Sequence, residues 1–220
     1  MKAMNQPAIA RLRRTVIAGL ALLCLGGCSL LSPTNAPSPV FYSLDTARSA
    51  ASVPALAFAP AQTAGATRIL IINPPHAAAG FDGQRIIYVR EPHRLDYFAY
   101  SEWVDPPARM LGPLLVARIE SSGAFRAVVL TPSAATGDWR LDTEIIRLQH
   151  EFQTQPSRVR FTLRATLVED KTRRVLAWRE FEAVAPASSD DPYGGVVAAN
   201  RAVQSVLEEL SAFCAEVARR

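Results

Sequence analysis

The clearest alternation along the chain is "RVRFTLRATLVE" from Arg158 to Glu169. Val159, Phe161, Leu163, Ala165 and Leu167 fall on one side and Arg158, Arg160, Thr162, Arg164 and Thr166 on the other. Successive side chains of a strand point to opposite faces, so this period of two reads as an antiparallel strand with one face on a core and one in water. Strand-length segments flank it, from Trp139 to Phe152 and from Arg174 to Ala185, and the charged turn "EDKTR" joins the last two. The three form a meander. Asp191 and Pro192 then open a helix whose Val196, Val203, Val206, Leu207, Leu210, Phe213 and Val217 recur at spacings of three, four and seven, the stripe of a helix that covers a sheet.

Upstream the pattern is more broken. "FYSLD" from Phe41 to Asp45 is a short strand, and the Ala-rich segment from Thr46 to Ala66 has too few large apolar residues for anything but a long loop. "TRILIIN" is a nearly continuous apolar run ended by Pro74 and Pro75, which predicts a central strand covered on both faces. Arg85 to Arg90 and Leu95 to Tyr100 flank "EPH" as the arms of a hairpin. Asp105 as N-cap and Pro106 in the first turn predict a helix to about Ser122, carrying Met110, Leu111, Leu114 and Ile119, with Pro113 expected to kink or split it. "FRAVVL" is one more short strand. The expected architecture is a single α+β domain over residues 41–220: a mixed, mostly antiparallel sheet with two helices packed on one face.

The N-terminus follows different rules. Lys2, Arg11, Arg13 and Arg14, with no acidic residue among them, precede an apolar run from Val16 to Leu25 that has the length of a secretory signal core and is too short to span a bilayer. Leu25, Gly26, Gly27 and Cys28 stand in the order of a bacterial lipoprotein cleavage site, where small side chains precede the cut and a thiol receives the lipid. Leu23 is too large to precede a cut, so Cys24 leaves with the signal; the alternative is an uncleaved anchor or a redox pair. Residues 1–27 are then the signal peptide, Cys28 is the lipidation site, and the polar, proline-rich residues 28–40 are a tether. Ser29 replaces the Asp that signals inner-membrane retention, which points to the periplasmic face of the outer membrane.

Processing changes the charge. The signal removes four of the 24 Lys and Arg and none of the 20 Asp and Glu, so the mature 193 residues are neutral and the basic balance argues for no nucleic acid. Cys214 is left as the one thiol beside the blocked Cys28, on an apolar helix face where it reads as a small buried hydrophobe. His76, His93 and His150 are dispersed without metal-ligand spacing, and no nucleophile elbow, zinc-binding helix or phosphate loop occurs, so neither a metal, a cofactor nor an enzyme is expected. Asp142 and Glu144 share a strand face that reads as solvated. Arg158, Arg160 and Arg164 form a basic face that suits solvent or cross-strand ion pairs better than an anionic lipid.

The aromatic group Tyr88, Tyr97, Phe98, Tyr100 and Trp103 stands out. Aromatics with a polar edge suit a partner surface or an apolar groove, and they also suit a sheet core under a helix, which the pattern alone favours. In this region the chain resembles the ABC-type transport auxiliary lipoproteins (PqiC-like). The likeness lies in the lipobox, "FYSL", "ILIINPP", then "GFDGQRIIYVREPHRLDYFAYSEWVDPPARML" leading to "LLVARIESSGAFRAVV", with Arg85, Tyr88, Arg90 and Trp103 at recurring positions. It implies a non-catalytic periplasmic domain anchored in the outer membrane that works with an MCE-domain protein and an inner-membrane ABC transporter or permease in lipid transport, as a ring-like homo-oligomer. Tyr88, Arg90, Tyr97, Tyr100 and Trp103 become the candidate partner-binding residues. The competing reading is a structural or secretion-associated outer-membrane lipoprotein. The lipid anchor is testable directly: cells fed labelled palmitate should label the wild-type protein and not Cys28→Ala, and a variant that still takes up label would move the site elsewhere.

Overall fold

The computed structural model describes residues 38–45 and 66–220. Cys28, the tether up to residue 37 and residues 46–65 of the Ala-rich segment lie outside these. Residues 39–220 form one compact unit. In order, its elements are β1 (Val40–Tyr42), β2 (Ile69–Ile72), β3 (His76–Ala77), β4 (Arg85–Val89), β5 (Asp96–Trp103), α1 (Pro107–Glu120), β6 (Ala127–Leu130), β7 (Trp139–Glu151), β8 (Arg158–Glu169), β9 (Val175–Pro186) and α2 (Pro192–Arg219). Among the described residues no helix is long and apolar enough to cross a membrane.

One strand organises the sheet. β7 pairs antiparallel with β8 from Trp139↔Glu169 to Glu151↔Arg158, and β8 pairs in turn with β9. Along its other edge β7 receives β2 at Leu70↔Trp139, β3 at His76↔Glu144 and β4 at Tyr88↔His150, all parallel. The chain from β2 to β4 thus runs beside β7 in three short docks. β6 then adds to β2 in parallel, β5 adds to β4 antiparallel, and β1 adds to β5 in parallel. The parallel pairs outnumber the antiparallel ones, yet the two long registers are antiparallel, as the alternation in the meander requires.

Both helices cover one face. The core joins Leu111, Leu115 and Ile119 of α1, the apolar stripe of α2, and Leu141, Ile145, Phe161, Leu163 and Leu167 of the sheet. Val159, Phe161, Leu163, Ala165 and Leu167 of β8 are all 2% exposed or less, the residues their alternation marked. β2 is covered on both sides: Leu70 and Ile72 enter the core, while Ile71 is 1% exposed against Gly137, where a Cβ would lie 2.4 Å from the Ile71 side chain. Cys214 is fully buried, and burial pushes its thiol up to about 12.

Some local expectations are corrected. Asp105 does not cap α1. Pro106 holds the cap position without a side-chain bond, and the Asp105 carboxylate instead pairs with Arg109 at 3.1 Å. Pro113 does not split α1, which is continuous with Pro113 on its exposed side; Leu111 and Leu115, both at 0% exposure, hold the helix on either side of the missing hydrogen bond. β3 was not expected, because two residues carry no periodicity. In contrast, Asp191 caps α2 as read, accepting a hydrogen bond from the Gly194 N–H at 2.7 Å.

The meander's two faces predict opposite mutational costs. Leu163→Ala removes a fully buried side chain from the central strand and should cost about 2–5 kcal/mol in urea unfolding. Trp178→Ala, at a residue 66% exposed on β9, should change stability by no more than about 0.5 kcal/mol.

Candidate functional site

The candidate residues lie on β4, β5 and the end of β7. In β4, Ile86 and Tyr88 face the helices, while Arg85, Ile87 and Val89 face away. The β4–β5 ladder runs Tyr88↔Asp96 and Ile87↔Tyr97 and then jumps to Arg85↔Glu102. Extra residues of β5 are therefore looped out between Tyr97 and Glu102, a bulge that rotates the rest of the strand. Phe98 and Trp103 are an odd number apart and would face opposite ways in a regular strand. Across the bulge both reach the helix side.

This geometry separates the five candidates. Tyr88 belongs to an aromatic cluster on the helix side, with ring centroids 4.7 Å from Phe98 and 5.8 Å from Phe152. The exposed Arg90 lays its guanidinium over Tyr88 at 5.4 Å and over Phe152 at 5.2 Å, cation–π contacts worth about 0.5–1 kcal/mol each at such sites. Tyr97 is on the opposite face, half exposed, with Arg85 stacked 4.2 Å from its ring. It lines a groove of about 490 Å³ with Gly80, Gln84, Ile87, Leu95 and Glu102. Tyr100 is 52% exposed in the bulged part of β5. Trp103 is corrected from a docking residue to a core residue: it is 3% exposed within the core cluster, so its ring has no face to offer a partner.

Sequence reading missed the polar groups behind the aromatic cluster. His150 is 2% exposed and Ser157 1%, and His150 Nε2 and Ser157 Oγ are 2.8 Å apart. Asp190 accepts the backbone N–H of Ser157 at 3.2 Å. The three residue types are those of a hydrolytic triad, but the geometry is not. The Asp does not orient the imidazole, whose Nδ1 has no hydrogen-bond partner, and the hydroxyl is sealed from solvent. The set instead ties the β7–β8 turn to the first turn of α2. Gly194 and Gly195 allow the close approach: a Cβ on Gly194 would lie 2.3 Å from Ser189 O, and one on Gly195 2.5 Å from His150 Nδ1. The paired acids and the "GG" that follow "SS" are the sequence signal that could have found this junction.

Glu151 points to the other face and is 5% exposed. Burial pushes its carboxyl up, but hydrogen bonds from Arg160, Gln149 and Arg158 overcome this and hold it at about 2, below its ordinary 4.5. Arg160 also pairs with Glu182, and Arg164 bridges Glu144 and Glu180 at 3.3 and 3.2 Å. The arginine face of β8 is thus committed to cross-strand ion pairs, and Glu144 is one of its partners. Asp142 accepts from Asn73 at 2.5 Å. Among the described residues no group of three or more His, Cys, Asp or Glu is arranged to hold a metal.

A family model described as the ABC-type transport auxiliary lipoprotein component matches residues 43–211. The chain belongs to that family. The match spans every described element from β2 to most of α2, so the branched sheet and its two helices are this auxiliary lipoprotein's family domain. The crystal structure of a Xanthomonas campestris protein of the DUF330 family is similar at 25% identity, with a TM-score of 0.64 over 69% of this chain and 86% of that one. A solved structure of an uncharacterized protein shares the fold at 14% identity, with a TM-score of 0.58 over 82% of this chain and 98% of the other. No curated protein matches this auxiliary lipoprotein. Family membership makes it a lipoprotein of the cell envelope that accompanies an ABC-type transport system.

The polar junction sets a pH profile. Burial lowers the pKa of His150 below 6.5, and Asp190 and Asp191 pull it back only in part. The unfolded chain therefore takes up this proton first, and the stability supplied by neutral His150 is complete above 6.5 and falls as pH drops below it. Glu151, depressed in the folded state, loses its contribution lower, as pH falls from 4.5 toward about 2. Urea midpoints should thus decline in two acid steps, and His150→Gln should flatten the upper step alone. An unchanged upper step in that variant would assign the proton to another group.

Proposed function

We propose that this protein is a non-catalytic auxiliary component of an MCE/ABC-type system for intermembrane lipid transport, anchored at the periplasmic face of the outer membrane through lipidated Cys28. The family match over residues 43–211 is the observation that carries this reading. The domain docks the periplasmic end of an MCE-domain assembly, which in turn meets the inner-membrane transporter or permease, and it does so as a ring-like homo-oligomer. The polar constellation at His150 and Ser157 favours support over chemistry, since both side chains are sealed beneath α2 and the aromatic cluster.

The docking face is the rim of that cluster. Arg90 is exposed and held by two aromatic rings, and Tyr100 adds a half-exposed ring on the neighbouring strand. A cation fixed over aromatics costs less entropy to engage than a free side chain, and Arg and Tyr are enriched where partner binding energy concentrates. Trp103 and Tyr88 shape this rim from behind.

Crosslinking in intact cells followed by mass spectrometry tests the assignment. The wild-type protein should recover an MCE-domain protein, and Arg90→Glu combined with Tyr100→Ala should reduce that recovery several-fold with unchanged thermal unfolding. Recovery of a secretion channel or envelope polymer in its place would replace the transport reading with that of a structural or secretion-associated lipoprotein.

A further inference from the structure

Exposed large apolar side chains are unevenly placed. Of the ten among the described residues, six lie on β1, on β5 or directly beside them: Val40, Phe41, Leu95, Tyr97, Tyr100 and Val104, each between 48% and 56% exposed. Register brings them together. Val40 and Phe41 pair with Ser101 and Glu102, the Val104 N–H donates to the Tyr42 carbonyl, and Glu102 and Tyr97 line the same groove. Among the described strands β1 pairs with β5 alone, so this is an edge of the sheet. A sheet edge that carries several exposed apolar side chains marks a surface that something covers.

The position of the edge in the chain identifies what covers it. β1 is the first element after the tether, and Val40 is twelve positions from Cys28. Fully extended, that length reaches at most about 40 Å. A tether this short holds its end at an effective concentration in the millimolar range over the surface that carries it. A few half-exposed apolar side chains then suffice for contact, with no need for the affinity a free peripheral protein requires. Glu102 is in register with Arg85, whose guanidinium is stacked on Tyr97. Tyrosines with an apolar ring and a wet hydroxyl suit the headgroup level of a bilayer.

We infer that the β1–β5 edge rests on the lipid surface of the anchoring membrane, with Phe41, Val40 and Val104 entering the interface and Tyr97 at its headgroup level. This rests on the reading of Cys28 as the lipidated residue. It gives the domain a fixed attitude: the anchor and the edge form two contacts, and the Arg90 rim on the other face of the β4–β5 hairpin stays available to a protein partner.

Nitroxide probes test it in the mature, lipidated protein reconstituted into vesicles of phosphatidylethanolamine and phosphatidylglycerol. Cysteines are introduced singly at Phe41, Val104 and, as a control on the far edge, Val175; Cys214 does not compete, being fully buried with its thiol pushed up to about 12. In vesicles the labels at 41 and 104 should lose collisions with a water-soluble nickel chelate several-fold and gain collisions with oxygen, while the label at 175 keeps the values of the soluble domain. If the protein floats with the vesicles and the labels at 41 and 104 stay as accessible as in the soluble domain, the edge contact is wrong and the anchor stands. If it fails to float and intact mass shows no lipid on Cys28, the anchor fails and the inference with it. Labels shielded before any vesicle is added would assign the edge to a second copy of the chain and overturn the inference.

Discussion

Every described strand of this domain depends, directly or through one or two neighbours, on the backbone hydrogen bonds of β7. A strand has two rows of donors and acceptors, and a buried row left unpaired is costly, so a 13-residue strand must find partners along both edges. β8 fills one edge along its whole length, with a single register shift between Ile145 and Arg147. The other is filled by three separate segments of the same stretch of chain, each too short to form a stable pair by itself. The length of β7 is what lets the sheet branch, carrying β2 and β6 at one end and β4, β5 and β1 at the other. Its register shift between Ile145 and Arg147 keeps both halves useful, since Leu141 and Ile145 before the shift and Leu148 and His150 after it all face the helices.

The end of β7 shows how burial of a polar group is resolved differently on two faces. His150 and Glu151 are adjacent, so one enters the layer beneath α2 and the other the opposite face. The imidazole is kept neutral by burial and bonded to one hydroxyl. The carboxylate is kept charged by two guanidiniums and an amide. Each solution ties down a different neighbour: His150 joins the β7–β8 turn to α2, and Glu151 joins β7 to β8. The aromatic cluster of Tyr88, Phe98 and Phe152 closes over this junction, which makes the hairpin rim a firm platform and not a loose loop.

That platform suits a protein whose family accompanies a transporter. A docking component needs surfaces held in fixed relation more than it needs reactive groups. The bulge in β5 supplies that relation by turning Trp103 inward as a pin while leaving Tyr97 and Tyr100 outward. One strand therefore serves both the core and an exposed edge of the sheet.

Much of this was legible before the structure. The alternation of β8, the stripe of α2, the Asp191 cap and the buried Cys214 are set by neighbours two to four residues apart, and such periods survive in any tertiary setting. The family likeness, carried by the tyrosine-rich hairpin and the segments around it, also agrees with the family match. The structure alone decided the rest: that Trp103 packs inside while Tyr100 stands out, that Pro106 and not Asp105 opens α1, that β3 exists at all, and that His150 meets Ser157 beneath Gly195. Each of these depends on a bulge, a register or an approach between segments distant in sequence. The face that a side chain takes beyond a bulge is chosen by the partner strand's hydrogen bonds, and local periodicity holds no record of them.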